Sequence, residues 1–412
     1  MSLFALKKFL TLGCLIFLTA SCGGGGGGSS ISSSAASNLS LVINQTGYKP
    51  CVSNWAVGDL NNDGLDDVVI GGWSCTSGAT SDLTILIQNS DGTLTDKTSV
   101  VLANKVYQGS QHIFIADFDK DGNADIWIPG FDDCAGCSAK SVMLWGSGGV
   151  FTREDFATDI SSHGACIFDL NGDGYLDMVI SGVYTWGVDT SGYYLNNGNR
   201  TFTFHVSTVF SGGSTCAVIK DSATGNMALV QGNTNQVAGY QSSIHTVDSN
   251  LNLVSRVGVA SHDALATDLI NSLVMDVNGD GFDDFVLVFN RLTSATPGTK
   301  EVWLNSGTGS FSYSYTIDSD SNNQYSAFST VLGGLTYVMF DAPNGDARLY
   351  KIATGAWSAY AASSFSAMAT KAGGHYGVAD WTIGMATIYL NRTLQRMYML
   401  QYVNGKYYTS VI

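Results

Sequence analysis

The chain repeats one aspartate-rich segment four times, and each copy runs directly into a continuous apolar stretch. The four copies align without gaps: VGDLNNDGLDDVVIGG (57–72), IADFDKDGNADIWIPG (115–130), IFDLNGDGYLDMVISG (167–182) and VMDVNGDGFDDFVLVF (274–289). Asp169 and Asp276 begin the last two loops and lie 107 residues apart, twice the usual step. A repeat of this kind determines the whole fold, and it predicts a degenerate copy between them.

Three degenerate copies complete the pattern. They are STCAVIKDSATGNMALVQG (214–232), YSAFSTVLGGLTYVMF (325–340) and YGVADWTIGMATIYL (376–390). Each of the seven copies is followed by a strand, a short turn and another strand, as in LIQNSDGTL and YLNNGNRTF. The sequence therefore predicts seven units of 47 to 58 residues, each with four strands.

Four-stranded units of this length are typical of propeller blades, which pack face to face around an axis. Second strands such as DVVIGG and DMVISG are continuous apolar runs, which indicates burial on both faces. Of 34 acidic residues only Glu154 and Glu301 are glutamate, and 48 residues are glycine, a composition that disfavours helices. We predict an all-β, seven-bladed propeller of four-stranded antiparallel blades, with the aspartate loops between the first and second strands.

Two segments compete to complete the ring. GKYYTSVI (405–412) fills the outer-strand position of blade seven, yet LSLVINQ (39–45) also precedes its blade at outer-strand spacing. Only one is needed, so the other is expected to add a fifth strand or to cap an exposed edge.

The first 21 residues have the pattern of an export signal. Lys7 and Lys8 precede an apolar run, 9–18, that is too short for a permanent membrane span. LTASC (18–22) then resembles a bacterial lipoprotein cleavage box, which predicts lipid on Cys22, a Gly/Ser-rich tether over 22–38 and the propeller over 39–412. The alternative is a plain secretory signal in which Cys22 is incidental.

This organisation predicts a lipoprotein of the bacterial cell envelope, at the outer membrane or the cell surface, that contacts the membrane through its lipid. Removal of Lys7 and Lys8 with the signal changes the formal net charge from −15 to −17. A chain this acidic is not expected to bind nucleic acid.

The four loops have the spacing of a calcium site, Asp-x-Asp/Asn-x-Asp-Gly-x-x-Asp. Calcium takes six to eight oxygen ligands, which a short loop supplies from alternate positions around a glycine turn. The predicted ligands are Asp59, Asn61, Asp63 and Asp67 with the Leu65 carbonyl in blade one; Asp117, Asp119, Asp121, Asn123 and Asp125 in blade two; Asp169, Asn171, Asp173, Tyr175 and Asp177 in blade three; and Asp276, Asn278, Asp280, Phe282 and Asp284 in blade five.

Thirteen of these ligands are aspartates, and their mutual repulsion would lower stability without a cation. We therefore expect about four calcium ions. A signalling role and a structural role both fit such loops, and we favour the structural one because sites in extracellular modules stay filled outside cells.

The blades resemble FG-GAP or VCBS repeats, the family that builds the propeller of integrin α subunits and of many bacterial surface proteins. The resemblance covers residues 55–412 and is clearest in the four blades with acidic loops. It implies that the calcium loops lie on one face and that ligands approach the other. Blades four, six and seven lack the loop acids, so no metal site is assigned to them.

Polar residues recur near the start of the innermost strands, where they would ring one mouth of the central channel. They are Asn54, His112, His163, Asn271 and His375. Loops on the same face carry aromatics, including Trp73 and Trp186, which suit stacking on sugars. The alternatives are a solvated rim and packing between adjacent loops.

Six cysteines remain after Cys14 in the signal and Cys22, and an even number in an exported chain favours disulfides. Cys51 and Cys75 flank the first hairpin of blade one and would staple it. Cys166 and Cys216 occupy matching inner strands of neighbouring blades, where a disulfide between blades is expected. Cys134 and Cys137 form a C-x-x-C in a loop, which we interpret as a small structural disulfide.

The sequence favours a surface binding or adhesion module that recognises a polysaccharide or a protein. A propeller-based polysaccharide lyase or hydrolase is the first alternative, with Asp132 and Asp133 as its only candidate acids. No Gly-x-Ser-x-Gly or His-Glu-x-x-His motif supports an enzyme. A scaffold within an envelope assembly is the second alternative.

Overall fold

Short strands joined by tight turns make up nearly all of the regular structure, as the composition predicts. The computed structural model describes residues 40–44, 50–74, 80–131, 140–159, 162–181, 191–210, 213, 215–222, 224–232, 242–259, 268–290, 298–320, 326–341, 348–353, 356–360, 386–403 and 406–412. All of these residues lie in one compact unit, Ala35–Ile412. The predicted signal and Cys22 lie outside the described residues.

The strands follow one another with few interruptions. In chain order they are β1 (Ser40–Asn44), β2 (Pro50–Gly58), β3 (Asp67–Ser74), β4 (Ser81–Asp82), β5 (Thr84–Gln88), β6 (Leu94–Asp96), β7 (Val106–Tyr107), β8 (Phe114–Ala116), β9 (Asp125–Ile128), β10 (Lys140–Ser147), β11 (Val150–Asp159), β12 (Gly164–Phe168), β13 (Asp177–Ser181), β14 (Gly192–Asn196), β15 (Phe202–Val206), β16 (Cys216–Lys220), β17 (Met227–Gln231), β18 (Ser243–Val247), β19 (Leu253–Gly258), β20 (Asp268–Met275), β21 (Asp284–Asn290), β22 (Gly298–Asn305), β23 (Phe311–Asp320), β24 (Ser326–Leu332), β25 (Leu335–Asp341), β26 (Arg348–Ala353), β27 (Ala356–Tyr360), β28 (Ala386–Asn391), β29 (Arg396–Val403) and β30 (Lys406–Val411). One helical turn, Thr98–Val101, and a 3-10 turn, Thr208–Phe210, are the helical elements in the described part of the chain. None of its helices is long and apolar enough to cross a membrane.

The strands form seven antiparallel sheets of four, which confirms the predicted seven-bladed propeller. From the innermost strand outward, blades one to seven are β2-β3-β5-β6, β8-β9-β10-β11, β12-β13-β14-β15, β16-β17-β18-β19, β20-β21-β22-β23, β24-β25-β26-β27 and β28-β29-β30-β1. The short strands β4 and β7 pair with each other beside blade one. The aspartate loops lie between the first and second strands of their blades, as the sequence predicts.

The core consists of seven clusters of buried side chains, one at each junction between neighbouring blades. Alternate residues of each second strand supply two different clusters. In β9, Ile126 and Ile128 pack against blade one, whereas Trp127 packs against blade three. Because both faces of the strand are covered, its sequence is a continuous apolar run with no polar alternation.

Closure of the ring differs from the sequence-based expectation. The C-terminal strand β30 is the third strand of blade seven, and the N-terminal strand β1 pairs with it as the outermost strand, with Leu41 opposite Tyr408. Blade seven therefore has four strands and no fifth. The apolar runs TIYL in β28 and MYML in β29 are alike, and without acids between them the sequence did not show which one was innermost.

The junction between blades seven and one is also bonded through side chains. The Tyr389 hydroxyl donates to the Gly92 carbonyl at 2.9 Å, and Gln88 Nε2 donates to the Leu390 carbonyl at 3.0 Å. Arg392 forms an ion pair with Asp66. The first and last segments of the propeller are thus held by sheet pairing and by specific polar contacts.

Candidate metal site

All four aspartate loops have the same backbone conformation. The glycine that the motif places at the turn has a positive φ in each loop: 82° at Gly64, 87° at Gly122, 86° at Gly174 and 88° at Gly281. The fourth loop position is also left-handed, at Asn62, Lys120, Gly172 and Gly279, with φ between 61° and 79°. The sequence indicated the first of these turns. The second is marked only by the Asn and Gly residues that tolerate this conformation in three of the four loops.

The loop acids fold back onto their own backbone amides. In blade one, Asp59 accepts hydrogen bonds from the amides of Asp63 at 3.1 Å and Gly64 at 2.8 Å, and Asn61 Oδ1 accepts from Asp63 at 3.0 Å. Asp63 accepts from the Leu65 amide at 2.8 Å. The other loops repeat this pattern at Asp117, Asp119 and Asp121, at Asp169, Asn171 and Asp173, and at Asp276, Asn278 and Asp280.

The last aspartate of each loop is fully buried at the start of the second strand. Asp67 accepts from the Leu60 amide at 2.9 Å and from the Gln88 amide of β5 at 2.8 Å, so one carboxylate joins the loop to the third strand. Its counterparts Asp125, Asp177 and Asp284 accept from the equivalent pairs of amides.

Burial disfavours the charged form of these carboxyl groups. It raises the pKa of Asp67 to about 7, and that of Asp125 and of Asp177 to about 6, while the hydrogen bonds from backbone amides act in the opposite direction. The pKa of Asp284 is raised for the same reason. Neighbouring loop aspartates raise these values further, so each loop concentrates negative charge that a cation would relieve.

The donor set fits calcium. In blade two, one carboxylate oxygen each from Asp117, Asp119 and Asp125 lie within 4.8 Å of one another. These three carboxylates are the hard oxygen donors that calcium prefers, and Asp121 and Asn123 lie between them in the sequence. The other three loops have asparagine at the third position and the same backbone bonds.

The predicted carbonyl positions differ in their side chains. Leu65 is buried, Tyr175 is half-buried against Gly198, and Phe282 is 38% exposed and lies against Gly307. These side chains pack against neighbouring turns and leave the loop backbone free to present its carbonyls. Asn123, the equivalent residue of blade two, instead accepts hydrogen bonds from Gly148 and from Asn62.

The degenerate blades lack the buried acid. Met227, 1% exposed, pairs with Lys220 where Asp177 pairs with Phe168, so a methionine occupies the last ligand position in blade four. In blade six a Gly333–Gly334 turn replaces the loop, and in blade seven Arg396 opens the second strand. In these blades, short turns and apolar packing take the place of the acidic loop between the first and second strands.

The loops also contact one another around the ring. Asn62 Nδ2 donates to the Gly122 carbonyl at 3.0 Å, which joins loop one to loop two. Lys120 Nζ of loop two lies 3.9 Å from the centroid of the Tyr175 ring of loop three. The acidic loops of blades one to three therefore form one continuous polar surface.

The predicted polar rim joins the blades to one another. Asn54 Nδ2 donates to the Ser110 carbonyl at 2.7 Å, and His112 Nε2 lies 3.0 Å from the His163 carbonyl. The His163 ring meets Phe131 edge-on, with centroids 4.7 Å apart, and Asn271 Oδ1 accepts from the Ser272 amide. His375, Trp186 and the side chain of Trp73 lie outside the described residues.

Burial lowers the pKa of His163 to about 4, and the nearby His112 lowers it further. In the unfolded chain His163 takes up a proton near pH 6.5, whereas in the folded chain it stays neutral down to about pH 4, so its contribution to stability falls as the pH is lowered across that interval. We expect His163→Gln to reduce the stability lost between pH 7 and pH 5 by about 2 kcal/mol in urea unfolding. An unchanged pH profile would show that His163 titrates normally in the fold.

The innermost strands line a cavity of about 830 Å³ with both apolar and polar walls. Ile115, Ile167, Leu273 and Phe328 line it, and Asp59, Asp66 and Arg392 lie at its aspartate-loop end. The rim residues Asn54, His112 and His163 are not among the described lining residues. The described rim side chains Asn54 and His112 thus bond to neighbouring segments rather than to this cavity.

Cys166 and Cys216 form a disulfide between blades three and four, with an S–S distance of 1.97 Å and Cα atoms 5.4 Å apart. The pair occupies the innermost strands β12 and β16, as the aligned copies suggested. Cys75, Cys134, Cys137 and the side chain of Cys51 lie outside the described residues.

The disulfide closes a loop of 50 residues. We expect the double variant Cys166→Ala/Cys216→Ala to lose about 2–4 kcal/mol of unfolding free energy, because the unfolded chain gains conformational freedom. Equilibrium denaturation of both proteins without reductant measures this difference. A loss below about 0.5 kcal/mol would mean that packing at this junction makes the crosslink redundant.

Comparison with known proteins agrees with this architecture. Residues 59–128, which span loop one, loop two and the strands between them, match the FG-GAP-like repeat family. The chain is a seven-bladed β-propeller whose first two loops match this repeat. None of the curated proteins matches the sequence of this propeller.

A solved structure shares the propeller fold at low identity. The BP39L lectin from Burkholderia pseudomallei superposes with a TM-score of 0.56 and 8% identity, covering 89% of this chain and 96% of the lectin. BBS1N, solved in complex with ARL6DN, gives a TM-score of 0.45 and 9% identity, covering 91% of this chain and 95% of that one.

Proposed function

We propose that the chain is a calcium-stabilised binding or adhesion module of the bacterial cell envelope, which recognises a polysaccharide or a protein. One observation carries the proposal. Four oxygen-rich loops with one conformation occupy equivalent positions in four blades of a propeller, and each ends in a buried carboxylate. The repeated geometry supports a structural role for the ions, because each loop joins the first three strands of its blade.

The ion would be held by the loop side chains and one backbone carbonyl in blades one, two, three and five. Bound calcium would supply the positive charge that the clustered carboxylates lack. Asp67 and its counterparts already fix the loop to the third strand through two amides each. The side chains at the first, third and fifth positions are oriented by amide hydrogen bonds before any ion binds, which lowers the cost of binding.

The face opposite the loops supports the ligand-binding half of the proposal. Second strands end there and third strands begin there, as β13 and β14 do at Ser181 and Gly192. The segments that connect them contain Trp186, Tyr184 and Tyr240 among Gly, Ser and Asp residues. Since the described rim polar groups join blades, we assign ligand contact to these connecting segments.

A glycan array and an affinity pull-down with the full chain in calcium test this assignment. We expect a polysaccharide or a surface protein to bind, and Trp186→Ala to weaken binding at least tenfold with the melting temperature unchanged. His205→Ala, on the outer strand of blade three, is the matched control and should bind as the wild type. No binding above background in calcium would contradict the proposal.

Membrane attachment through Cys22 is a separate part of the proposal, based on the LTASC box. We expect the chain to fractionate with bacterial membranes and to incorporate labelled palmitate. Cys22→Ser should release it in soluble form. Labelling that persists in this variant, or a soluble wild type, would favour a plain secretory signal.

A further inference from the structure

Loop two differs from the other three loops in its charge. Its third position is Asp119, where the others have Asn61, Asn171 and Asn278. Loop two therefore has four carboxylates at ligand positions and each other loop has three. An additional carboxylate so close to the other three should either tighten calcium binding or be balanced by a nearby positive group.

The structure shows such a group. Arg200, in the turn between the third and fourth strands of blade three, reaches across the junction to loop two. Its Nε lies 2.5 Å from Asp119 Oδ2, and its Nη2 lies 3.1 Å from Asp121 Oδ2. The Asp119 side chain is 7% exposed, so its carboxylate is largely removed from water where the guanidinium meets it.

Packing holds the guanidinium in place. Arg200 lies 5.3 Å from the Trp145 ring of blade two, and that ring stacks on Phe202, two residues beyond Arg200. Within the described part of the chain, no other loop has a ligand carboxylate in an ion pair. The extra acid and its arginine thus occur together, at one loop only.

We propose that Arg200 is a tethered counter-ion that competes with calcium for Asp119 and Asp121, which makes loop two the weakest of the four calcium sites. The inference rests on the proposed calcium binding. Two carboxylates at ligand positions already accept hydrogen bonds from a guanidinium, and calcium must bind against its positive charge. At low calcium, Arg200 holds the junction of blades two and three together; at high calcium it releases these oxygens.

The four loops provide internal controls for a titration on one protein. Hydrogen exchange measured by mass spectrometry over a calcium series gives a protection midpoint for each loop from its own peptides. In the wild type, the loop two midpoint is expected at higher calcium than those of loops one, three and five. Arg200→Ala should move it at least tenfold lower, because a unit charge is removed near a divalent site.

Two further variants and one calcium-free measurement make the test specific. Arg200→Ala/Asp119→Asn recreates the ligand set of loops three and five, and its loop two midpoint should fall close to theirs. Arg396→Ala removes an exposed arginine from the first hairpin of blade seven, and all four midpoints should stay unchanged. In calcium-free buffer, Arg200→Ala should melt lower than the wild type, and calcium should abolish that difference.

The outcomes separate this inference from the proposed function. If no loop gains protection with calcium, the proposed calcium binding is wrong. If loops one, three and five respond but Arg200→Ala leaves the loop two midpoint unchanged, Arg200 does not compete. A midpoint that moves to higher calcium would show that Arg200 positions the carboxylates for the ion, which also overturns the proposal.

Discussion

Removal of calcium is expected to lower the melting temperature of the chain by about 15 °C. A site filled at 100 times its dissociation constant contributes about 2.7 kcal/mol, so four filled sites contribute about 11 kcal/mol. An unfolding entropy of about 2.1 cal/mol/K per residue makes 1 kcal/mol correspond to roughly 1.3 °C for a domain of this size, so the four sites account for about 15 °C. Differential scanning calorimetry with calcium and with excess chelator measures the shift.

Magnesium is the control ion for this experiment. It prefers small octahedral sites and retains its waters, so it should restore little of the lost stability when it replaces calcium at the same concentration. Readdition of calcium should restore the melt completely. A chelated protein that melts within about 2 °C of the calcium-loaded one would contradict the structural role of the loops.

Asp67→Ala is expected to have the largest effect of any single substitution described here, about 5 kcal/mol in calcium. The change leaves the buried amides of Leu60 and Gln88 without their acceptor, at a cost of about 1–3 kcal/mol each. Loss of a ligand also removes most of the roughly 2.7 kcal/mol contributed by the ion of blade one.

Asp91→Ala is the matched control because Asp91 is an exposed acid on the outer turn of the same blade. It should cost less than about 1 kcal/mol. Chemical denaturation in calcium and in chelator separates the two contributions: the chelated Asp67→Ala protein should still lose the hydrogen-bond part. A total loss below about 1 kcal/mol would mean that this carboxylate does not connect the loop to the third strand.

The blade count and the loops could be predicted from local pattern alone. Met178, Val179 and Ile180 of β13 form an apolar run because each faces one of two neighbouring blades, and that signal lies within a single strand. The turn glycine was equally visible, because Gly64 and its counterparts adopt a conformation that other residues avoid. Seven blades and four loops follow from such short-range signals.

Apart from the Cys166–Cys216 disulfide, which the aligned copies indicated, features that depend on contacts between distant residues could not be predicted. The pairing of β1 with β30 joins the two ends of the propeller. Because β28 and β29 have similar apolar sequences, TIYL was predicted as the second strand of blade seven, whereas it lies in the first. His112 reaches the His163 carbonyl only because the blades lie at a particular spacing, which no local pattern encodes. The Arg200 contact with Asp119 spans 81 residues for the same reason.

The central claim is that the four aspartate loops bind calcium in a closed propeller. Crystals of the full chain grown with calcium, measured at a long X-ray wavelength, test it directly through the anomalous signal of the ion. We expect four peaks, each between the first and last aspartates of the loops in blades one, two, three and five. Crystals that show no peak in these loops, or peaks only elsewhere, would contradict the claim.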